Sequence, residues 1–495
     1  MEQHRLIATS FFLLCLVGCA SLFPQRIPLS FQRPEECQGL LDKLDTVVEA
    51  AGVRDASTFP IPGFPYLRTN RFLAALKKDL KDRGAREVWM KWMQQLDLSA
   101  REKEIGNLPE EMVFSISGES GEGSREKLTS RVASCSSELL TTDQAHPDLS
   151  VVLDPLVHVP DEYSSFRRVV GLYPLIAIPV AMATEMSRQK IRERFGTDLE
   201  RLPVDGKIEA FIPARRALLD AKDIQEIVEN SKRNPLSIPI LDQGQEERLA
   251  SFFAPAFVQD VAAPYDRLGH VVWKGDRLEI DGERPTVYYY TSHAFLRGEA
   301  ILQINYVIWY SERAGEKSPR IERGHIDGLT ARISLDGKGR PFMLDVANDC
   351  GCYHFFAPQR KRVDRILSKP FQFSPLVPQW LPEIPPGESL GIRINSGWHQ
   401  VQRLLSLEEP PGSIPYALTP YALLERLPQG DHRRESLFDA RGIAKGSERV
   451  ERLILFSMGI PSVGSMRQRG HHAIELVGRA HFDDPFLFDE RFVFK

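Results

Sequence analysis

The hydrophobic period of the chain changes near residue 255, and this change limits the folds that the chain can adopt. Before residue 255, apolar residues recur every three or four positions, which is the spacing of one face of an α-helix. After it, β-branched and aromatic residues gather in short runs between Gly, Pro and Asp, the pattern of β-strands. The sequence therefore predicts an α+β fold, with an α-helical N-terminal half followed by a β-rich, mainly antiparallel C-terminal domain.

The two patterns also predict individual elements. Helices are expected at residues 34–52, 72–80, 88–96, 128–139, 213–230 and 243–253. Strands are expected at residues 271–273, 286–290, 301–310, 329–335, 340–346, 391–394, 398–404, 452–456 and 472–477. Alternation along 301–310 predicts a strand with one face in a core.

The N-terminus has the form of an export signal. After Arg5, an apolar run that is too short to span a bilayer leads into Leu16-Val17-Gly18-Cys19. This stretch resembles the lipobox of bacterial lipoprotein precursors. The resemblance implies cleavage before Cys19, acylation of Cys19 with chains such as palmitate, and, because Ala20 follows, an outer-membrane anchor that faces the periplasm.

Three further phrases resemble a group of predicted envelope lipoproteins of Gram-negative bacteria, to which no activity is assigned. They are Ile61-Pro62-Gly63-Phe64-Pro65-Tyr66, Asn305-Tyr306-Val307-Ile308-Trp309 and Cys350-Gly351-Cys352-Tyr353-His354. This resemblance supports the location and adds nothing on chemistry.

Composition shifts divide the chain into five parts. They are a signal peptide (1–18), a lipidated tether (19–33), an α-helical domain (34–145), a helical connecting region (146–254) and the β-rich C-terminal domain (255–495).

Cys37 and Cys135 lie on the apolar stripes of two predicted helices. In an exported protein these cysteines can oxidise, so we predict that they form a disulfide. The alternative is two unpaired cysteines in the core.

The connecting region contains sixteen uncharged residues, 169–184, with Pro174 and Pro179 among them. This segment is too short for a spanning helix. It predicts either a buried, kinked helix or a segment that dips into the membrane, with Arg188, Lys190 and the arginines after them near the headgroups.

Residues 345–354 contain the side chains best suited to metal binding or redox chemistry. If this stretch is extended, Cys350, Cys352 and His354 project from one face. They then form a metal site, a small disulfide that is either redox-active or merely structural, or ordinary packed side chains. Spacing along a strand exceeds the distance between zinc ligands, so a metal site needs a turn at Gly351.

Histidines from other strands are needed to complete a zinc or iron site, and His293, His399 or His472 are the candidates. A weaker pattern, His325-Ile326-Asp327 with His399, matches a 2-His-1-carboxylate iron triad.

Common catalytic motifs are absent from the sequence, including Gly-x-Ser-x-Gly, Walker A and His-Glu-x-x-His. A net charge of −4 gives no basic excess, so nucleic acid is not an expected partner. Two function hypotheses follow: a lipid-anchored periplasmic protein with a Cys/His metal or redox site, or a non-catalytic envelope protein that binds a lipid or protein partner.

Overall fold

The computed structural model describes residues 33–495, apart from residues 79, 81, 120, 122, 370, 371, 431 and 432. The predicted signal peptide, Cys19 and the tether up to residue 32 lie outside this part of the chain.

Helices occupy most of the described chain before residue 254 and form two short elements near its end. They are α1 (Glu35–Ala51), α2 (Arg71–Leu76), α3 (Arg83–Asn107), α4 (Glu110–Ser117), α5 (Ser124–Gln144), α6 (Leu149–Leu153), α7 (Ser165–Val170), α8 (Tyr173–Gly196), α9 (Ala221–Ser231), α10 (Gln243–Phe253), α11 (Glu451–Ile454) and α12 (Leu487–Arg491). Helix α1 ends at Gly52, whose φ of 67° closes the helix as glycine commonly does.

The predicted disulfide between Cys37 and Cys135 is confirmed. It joins α1 to α5, and the two Cα atoms are 5.0 Å apart. Around it, Leu41, Leu44 and Val132 belong to one buried apolar core. The pairing follows from local periodicity, because both cysteines lie on core-facing stripes.

Strands dominate the second half of the chain, and three others lie before residue 214. They are β1 (Phe59–Ile61), β2 (Phe64–Thr69), β3 (Lys207–Pro213), β4 (Ala256–Val261), β5 (His270–Lys274), β6 (Arg277–Asp281), β7 (Thr286–Leu296), β8 (Glu299–Arg313), β9 (Gly324–Leu335), β10 (Pro341–Asn348), β11 (His354–Pro358), β12 (Val363–Ile366), β13 (Ser389–Ile394), β14 (Val401–Leu407), β15 (Ile414–Pro420), β16 (Leu427–Gln429), β17 (Arg433–Glu435) and β18 (Phe492–Phe494).

Ten of these strands form one curled, mixed sheet with the order β11-β10-β9-β8-β7-β15-β3-β4-β13-β14. Neighbouring strands are antiparallel except for the pairs β7–β15, β15–β3 and β4–β13. The α+β fold with a mainly antiparallel C-terminal part is therefore confirmed.

Three predicted elements differ in the structure. The helix expected from residue 213 begins at Ala221, behind the capping residue Asp220, and β3 precedes it. Residues 452–456 fall in α11 and the turn after it, and residues 472–477 make only an isolated bridge from Ala473 to His481. Short apolar runs do not distinguish a strand from a helix or a packed loop.

Strand β8 is buried on both of its faces, whereas the sequence predicted only one buried face. Tyr306 and Tyr310 face the core beneath the sheet, as predicted. Val307 and Trp309 pack into a second core on the opposite face. Because loops from the end of the chain cover that face, even the polar residue Asn305 is buried.

The uncharged segment 169–184 is helical but not buried. It forms the end of α7 and the first half of α8, and Pro179 lies inside α8. Ile178 is 62% exposed and Val169 is 75% exposed. Among the described helices, none is both long enough and apolar enough to cross a bilayer.

Candidate functional site

The turn between β10 and β11 contains the two cysteines of the described residues that are not in the disulfide. Strand β10 ends at Asn348 and β11 begins at His354, so Cys350 and Cys352 lie in the turn. The extended segment on which a shared face depended does not form, because the chain turns at Gly351.

His354 consequently has different neighbours from the cysteines. Cys350 and Cys352 pack with the core that contains Trp309. His354 Nε2 lies 3.0 Å from Asp345 Oδ2, and burial lowers the pKa of this histidine despite the carboxylate. His354 therefore belongs to a separate buried contact with Asp345.

The cysteine turn is held rigidly. The Gly351 N–H donates to the Asn348 carbonyl at 2.7 Å, and the Asp349 N–H donates to the Gly328 carbonyl at 2.9 Å. Gly351 has a φ of 76°, and a Cβ at this position would lie 2.1 Å from the Ala473 carbonyl oxygen. Only glycine fits this close approach without moving the backbone.

The two thiols are free and adjacent. Cys350 is buried, whereas Cys352 is partly exposed. The Cys352 N–H donates to Cys350 Sγ at 3.3 Å. The hydrogen bond between the two sulfurs, followed by burial, raises the pKa of the Cys352 thiol well above its usual range. Cys352 is therefore the more exposed residue of the pair, and Cys350 is the enclosed one.

Three arginines lie within electrostatic range of Cys350: Arg313, Arg449 and Arg467. Burial lowers the pKa of Arg449 and of Arg467, and Cys350 is among the groups that oppose this effect. Positive groups next to a cysteine stabilise its thiolate. Cys350 thus lies within range of three arginines, while the carboxylates of Glu322 and Glu451 act on the neighbouring Cys352.

Carboxylates fix the first of these arginines. Arg313 donates two hydrogen bonds to Asp327, at 3.0 and 2.9 Å, and a third to Glu322 at 2.9 Å. Burial acts to lower the pKa of Arg313, but the acidic partners outweigh it and raise the pKa. The guanidinium is therefore charged and held in one orientation.

His399 extends this network. Its Nδ1 is 2.8 Å from Asp327 and its Nε2 is 3.4 Å from Asp266, while the Tyr310 ring stacks on it at 3.8 Å. Burial disfavours the charged imidazole, but the contacts with the Asp266 and Asp327 carboxylates raise the pKa of His399 overall. The result is a buried imidazole between two carboxylates that favour its charged form.

Backbone strain accompanies this network. Ile326 has a φ of 56° within β9, and His399 has a φ of 52°. Left-handed backbone is costly for any residue with a Cβ and especially for a β-branched one. Both residues adjoin the Asp327–His399 contact, so the surrounding packing maintains strain where the charges meet.

Asp349 and His472 form a second buried contact beside the cysteine turn. Asp349 accepts from Thr330 at 2.6 Å, and burial raises the pKa of Asp349 well above its usual range. Burial and the charge of Arg467 lower the pKa of His472 to about 3. With partners counted over the described residues, His472 Nε2 makes no hydrogen bond, and it lies 3.8 Å from Asp349.

His293 makes its contacts elsewhere in the protein, away from the cysteine turn. Its ring packs against Phe72 and Trp92, each with centroids 5.1 Å away, and its Nε2 is 2.7 Å from the Pro239 carbonyl oxygen. Burial lowers the pKa of His293 to about 4. It is a neutral core histidine between the helices and the sheet.

Two of the three residues in the predicted iron triad meet. Asp327 contacts His399, as described above, but His325 lies 3.3 Å from the Leu278 carbonyl oxygen. The third ligand position is thus not supplied by His325.

The residues proposed as metal ligands are not brought together. Within the part of the chain that the structure describes, no group of three or more His, Cys, Asp or Glu side chains is placed to hold a metal ion. His293, His399 and His472 each have separate partners, so none completes a ligand set with Cys350 and Cys352.

Comparison with known proteins adds no family. No family model, curated protein or solved structure matches the chain.

Sequence reasoning missed the arginines of the site. Arg313 follows the apolar run of β8 as an ordinary strand-end charge, and Arg449 and Arg467 lie in loops without a pattern. Charged residues that are almost completely buried carry no periodic signal, because their partners come from distant parts of the chain.

Proposed function

We propose that the protein is a lipid-anchored protein of the Gram-negative periplasm whose C-terminal half carries a dithiol–disulfide redox centre at Cys350 and Cys352. The observation that carries the redox part is the pair of adjacent free thiols in one fixed turn. Cys37 and Cys135 are bonded to each other, whereas Cys350 and Cys352 are unbonded neighbours in the same structure.

The asymmetry of the pair supports a division of roles. Cys352 is the partly exposed residue, and Cys350 is the buried one within electrostatic range of three arginines. A stabilised thiolate is a good leaving group in thiol–disulfide exchange. A disulfide over one intervening residue closes a small, strained ring, which makes it easier to reduce.

The chemistry proposed is oxidation of a protein or peptide dithiol. A substrate thiolate attacks Cys352 Sγ in the oxidised protein, the Cys350–Cys352 bond breaks, and Cys350 leaves as a thiolate. A second substrate thiolate then attacks the substrate sulfur of this mixed disulfide, so that the substrate disulfide forms. Cys352 leaves, and the two cysteines retain the two electrons and two protons of the substrate. Exchange with another protein disulfide restores the oxidised form.

The test is a redox titration of the purified protein. The protein is equilibrated in glutathione buffers of graded potential, alkylated, and mapped by mass spectrometry. The Cys350–Cys352 pair is expected to interconvert at a less negative potential than Cys37–Cys135. Both thiols remaining alkylated in every buffer would overturn the proposal.

Matched variants assign the activity to this pair. With a reduced peptide dithiol as substrate, Cys352→Ser is expected to abolish oxidation, whereas the double variant Cys37→Ser/Cys135→Ser, compared at a temperature where it is folded, keeps it. Arg467→Gln is expected to make the potential more negative, and Arg467→Lys, which keeps the charge, to do so less. Equal potentials for the two arginine variants would remove the electrostatic part of the argument.

The anchoring part is supported by the lipobox pattern at Leu16-Val17-Gly18-Cys19. Expressed in a Gram-negative host with a labelled palmitate analogue, the full chain should incorporate label and fractionate with the outer membrane. Cys19→Ser should lose the label. Label that persists in that variant would refute acylation at Cys19, and inner-membrane fractionation would refute the location.

A further inference from the structure

A broad apolar surface remains uncovered on the side of the molecule formed by α7 and the first half of α8. Exposed fractions here reach 74% for Phe166, 65% for Leu175 and 66% for Met182. Large apolar residues scattered singly are ordinary, but a continuous exposed group marks a surface that binds something.

A second segment of the chain enlarges this surface. The residues after α11 pack against the junction of α7 and α8: the Arg168 Nε donates to the Met458 carbonyl at 3.0 Å, and a Cβ on Gly171 would lie 2.6 Å from the Ser457 Cα. Leu453 in α11 is 73% exposed beside this junction. The surface therefore comes from two parts of the chain and is not one frayed helix.

The second half of α8 attaches the exposed first half to the rest of the protein. The second half of α8 is fixed by Ile191 and Phe195, which are buried in the core of the large sheet. In the first half of α8, Ala177 is the residue with the least exposure, at 9%. The apolar part of the helix thus projects from a firmly attached base.

Basic residues border the apolar surface. Arg167 and Arg168 precede the uncharged residues 169–184, and Arg188, Lys190, Arg192 and Arg194 follow them along α8. Glu185 and Glu193 offset part of this charge: Arg192 pairs with Glu185 at 2.8 Å, while Arg194 lies over the Trp398 ring. A basic excess remains beside the uncharged residues. An apolar face with a basic rim fits the acyl and headgroup layers of an anionic membrane. None of the described helices is long and apolar enough to span a bilayer, so this surface would lie in the interface.

We propose that this surface, which we name the apolar face (residues 165–186 and 450–456), inserts shallowly into a phospholipid membrane with anionic headgroups. Charge complementarity favours this occupant over a second copy of the chain, because two copies would bring the same basic rims together. The inference does not depend on the redox centre, and it adds a second membrane contact to the proposed acyl anchor.

The experiment uses the mature chain, exported behind a signal that is cleaved without acylation, so that no acyl chain contributes. It is mixed with vesicles of phosphatidylethanolamine and phosphatidylglycerol, or of phosphatidylcholine alone, and floated on a density gradient. We expect flotation with the anionic vesicles, and weaker flotation with the neutral ones or at high salt.

The double variant Leu175→Asp/Ile178→Asp is expected to bind anionic vesicles about 100-fold more weakly, because two large apolar side chains no longer insert. The matched control is Leu218→Asp, which changes a 97% exposed leucine outside the apolar face and should bind as the parent does. Lys190→Gln/Arg192→Gln should lose the preference for anionic vesicles. The Cys37–Cys135 disulfide and the thermal midpoint report that each variant is folded.

Absence of flotation with either vesicle overturns the proposal. If the same protein then forms a concentration-dependent dimer that Leu175→Asp/Ile178→Asp abolishes, the apolar face binds a second copy instead. Failure of vesicle binding would leave acylation of Cys19 to be judged by palmitate labelling alone, so the two results are separable.

Discussion

Removal of the Cys37–Cys135 disulfide is expected to have a large effect whose size follows from the structure. The two cysteines are 98 residues apart in sequence. In the chain-entropy model a closed loop of about 100 residues stabilises the folded state by about 4.7 kcal/mol. The surrounding leucines of α1 and the valine stripe of α5 remain in both forms, so we expect Cys37→Ser/Cys135→Ser to lose about 4 to 5 kcal/mol.

The assay is urea unfolding followed by tryptophan fluorescence, since Trp89 lies in the same buried core as the disulfide. The wild type is measured with and without dithiothreitol. Reduction should lower its midpoint to that of the double variant, which should itself be unaffected by the reductant. The control Cys350→Ser/Cys352→Ser keeps the structural disulfide and should respond to dithiothreitol as the wild type does.

The reasoning is refuted if reduction leaves the wild-type midpoint unchanged, or if the double variant loses less than about 1 kcal/mol. Either result would mean that the reduced chain is already constrained in the unfolded state, so that the cross-link removes little entropy.

Three further perturbations test the buried turn and charges. His399→Gln removes the positive charge between two carboxylates and should destabilise the protein by about 3 to 5 kcal/mol at pH 5. Because the pKa of His399 is raised in the folded protein, the wild type loses this contribution as the pH rises through that pKa. The difference in the free energy of unfolding between the two proteins, measured by chemical denaturation, should therefore shrink at higher pH. Gly351→Ala forces a Cβ against the Ala473 carbonyl at a φ of 76° and should cost more than about 2 kcal/mol of stability. The control Gly412→Ala has a φ of 77° and open space around its Cβ, and should cost about 1 kcal/mol. Equal thermal midpoints for the two variants would show that backbone strain accounts for the whole effect and that the close contact with Ala473 adds nothing. Burial and the charge of Glu322 raise the pKa of Glu451 from 4.5 to about 7, so the stability of the wild type should fall as the pH rises between these values. Glu451→Gln should be more stable than the wild type by up to about 3 kcal/mol at pH 8. A variant whose stability changes with pH in parallel with that of the wild type would contradict this.

The local sequence pattern was enough to predict an element wherever one face of that element packs against one core. Helices α1 and α10 have the bounds that periodicity and capping residues indicate, because Gly52 ends the first and Asp242 caps the second. The disulfide followed from the same periodicity. Pattern was not enough for β3, which is seven residues long and joins the large sheet only through pairing with β4 and β15.

The candidate site divides in the same way. The sequence indicated Cys350 and Cys352 because cysteines so close together are conspicuous in any chain. It also singled out Asp327 and His399, but with His325 as their partner, since adjacency in sequence suggested a ligand set. In the fold, a positive φ at Ile326 accompanies a separation of the two: Asp327 points to His399 while His325 points to a backbone carbonyl.

The sequence by itself determined the α+β class, the Cys37–Cys135 bond and the uncharged segment 169–184, because these depend on period, spacing and composition within short stretches. Only the tertiary structure decided that Arg313, Arg449 and Arg467 surround Cys350, and that the uncharged segment is exposed rather than buried. Electrostatic partners and burial depend on which distant segments pack together, and a ten-stranded sheet with three parallel pairs brings together residues that no local pattern links.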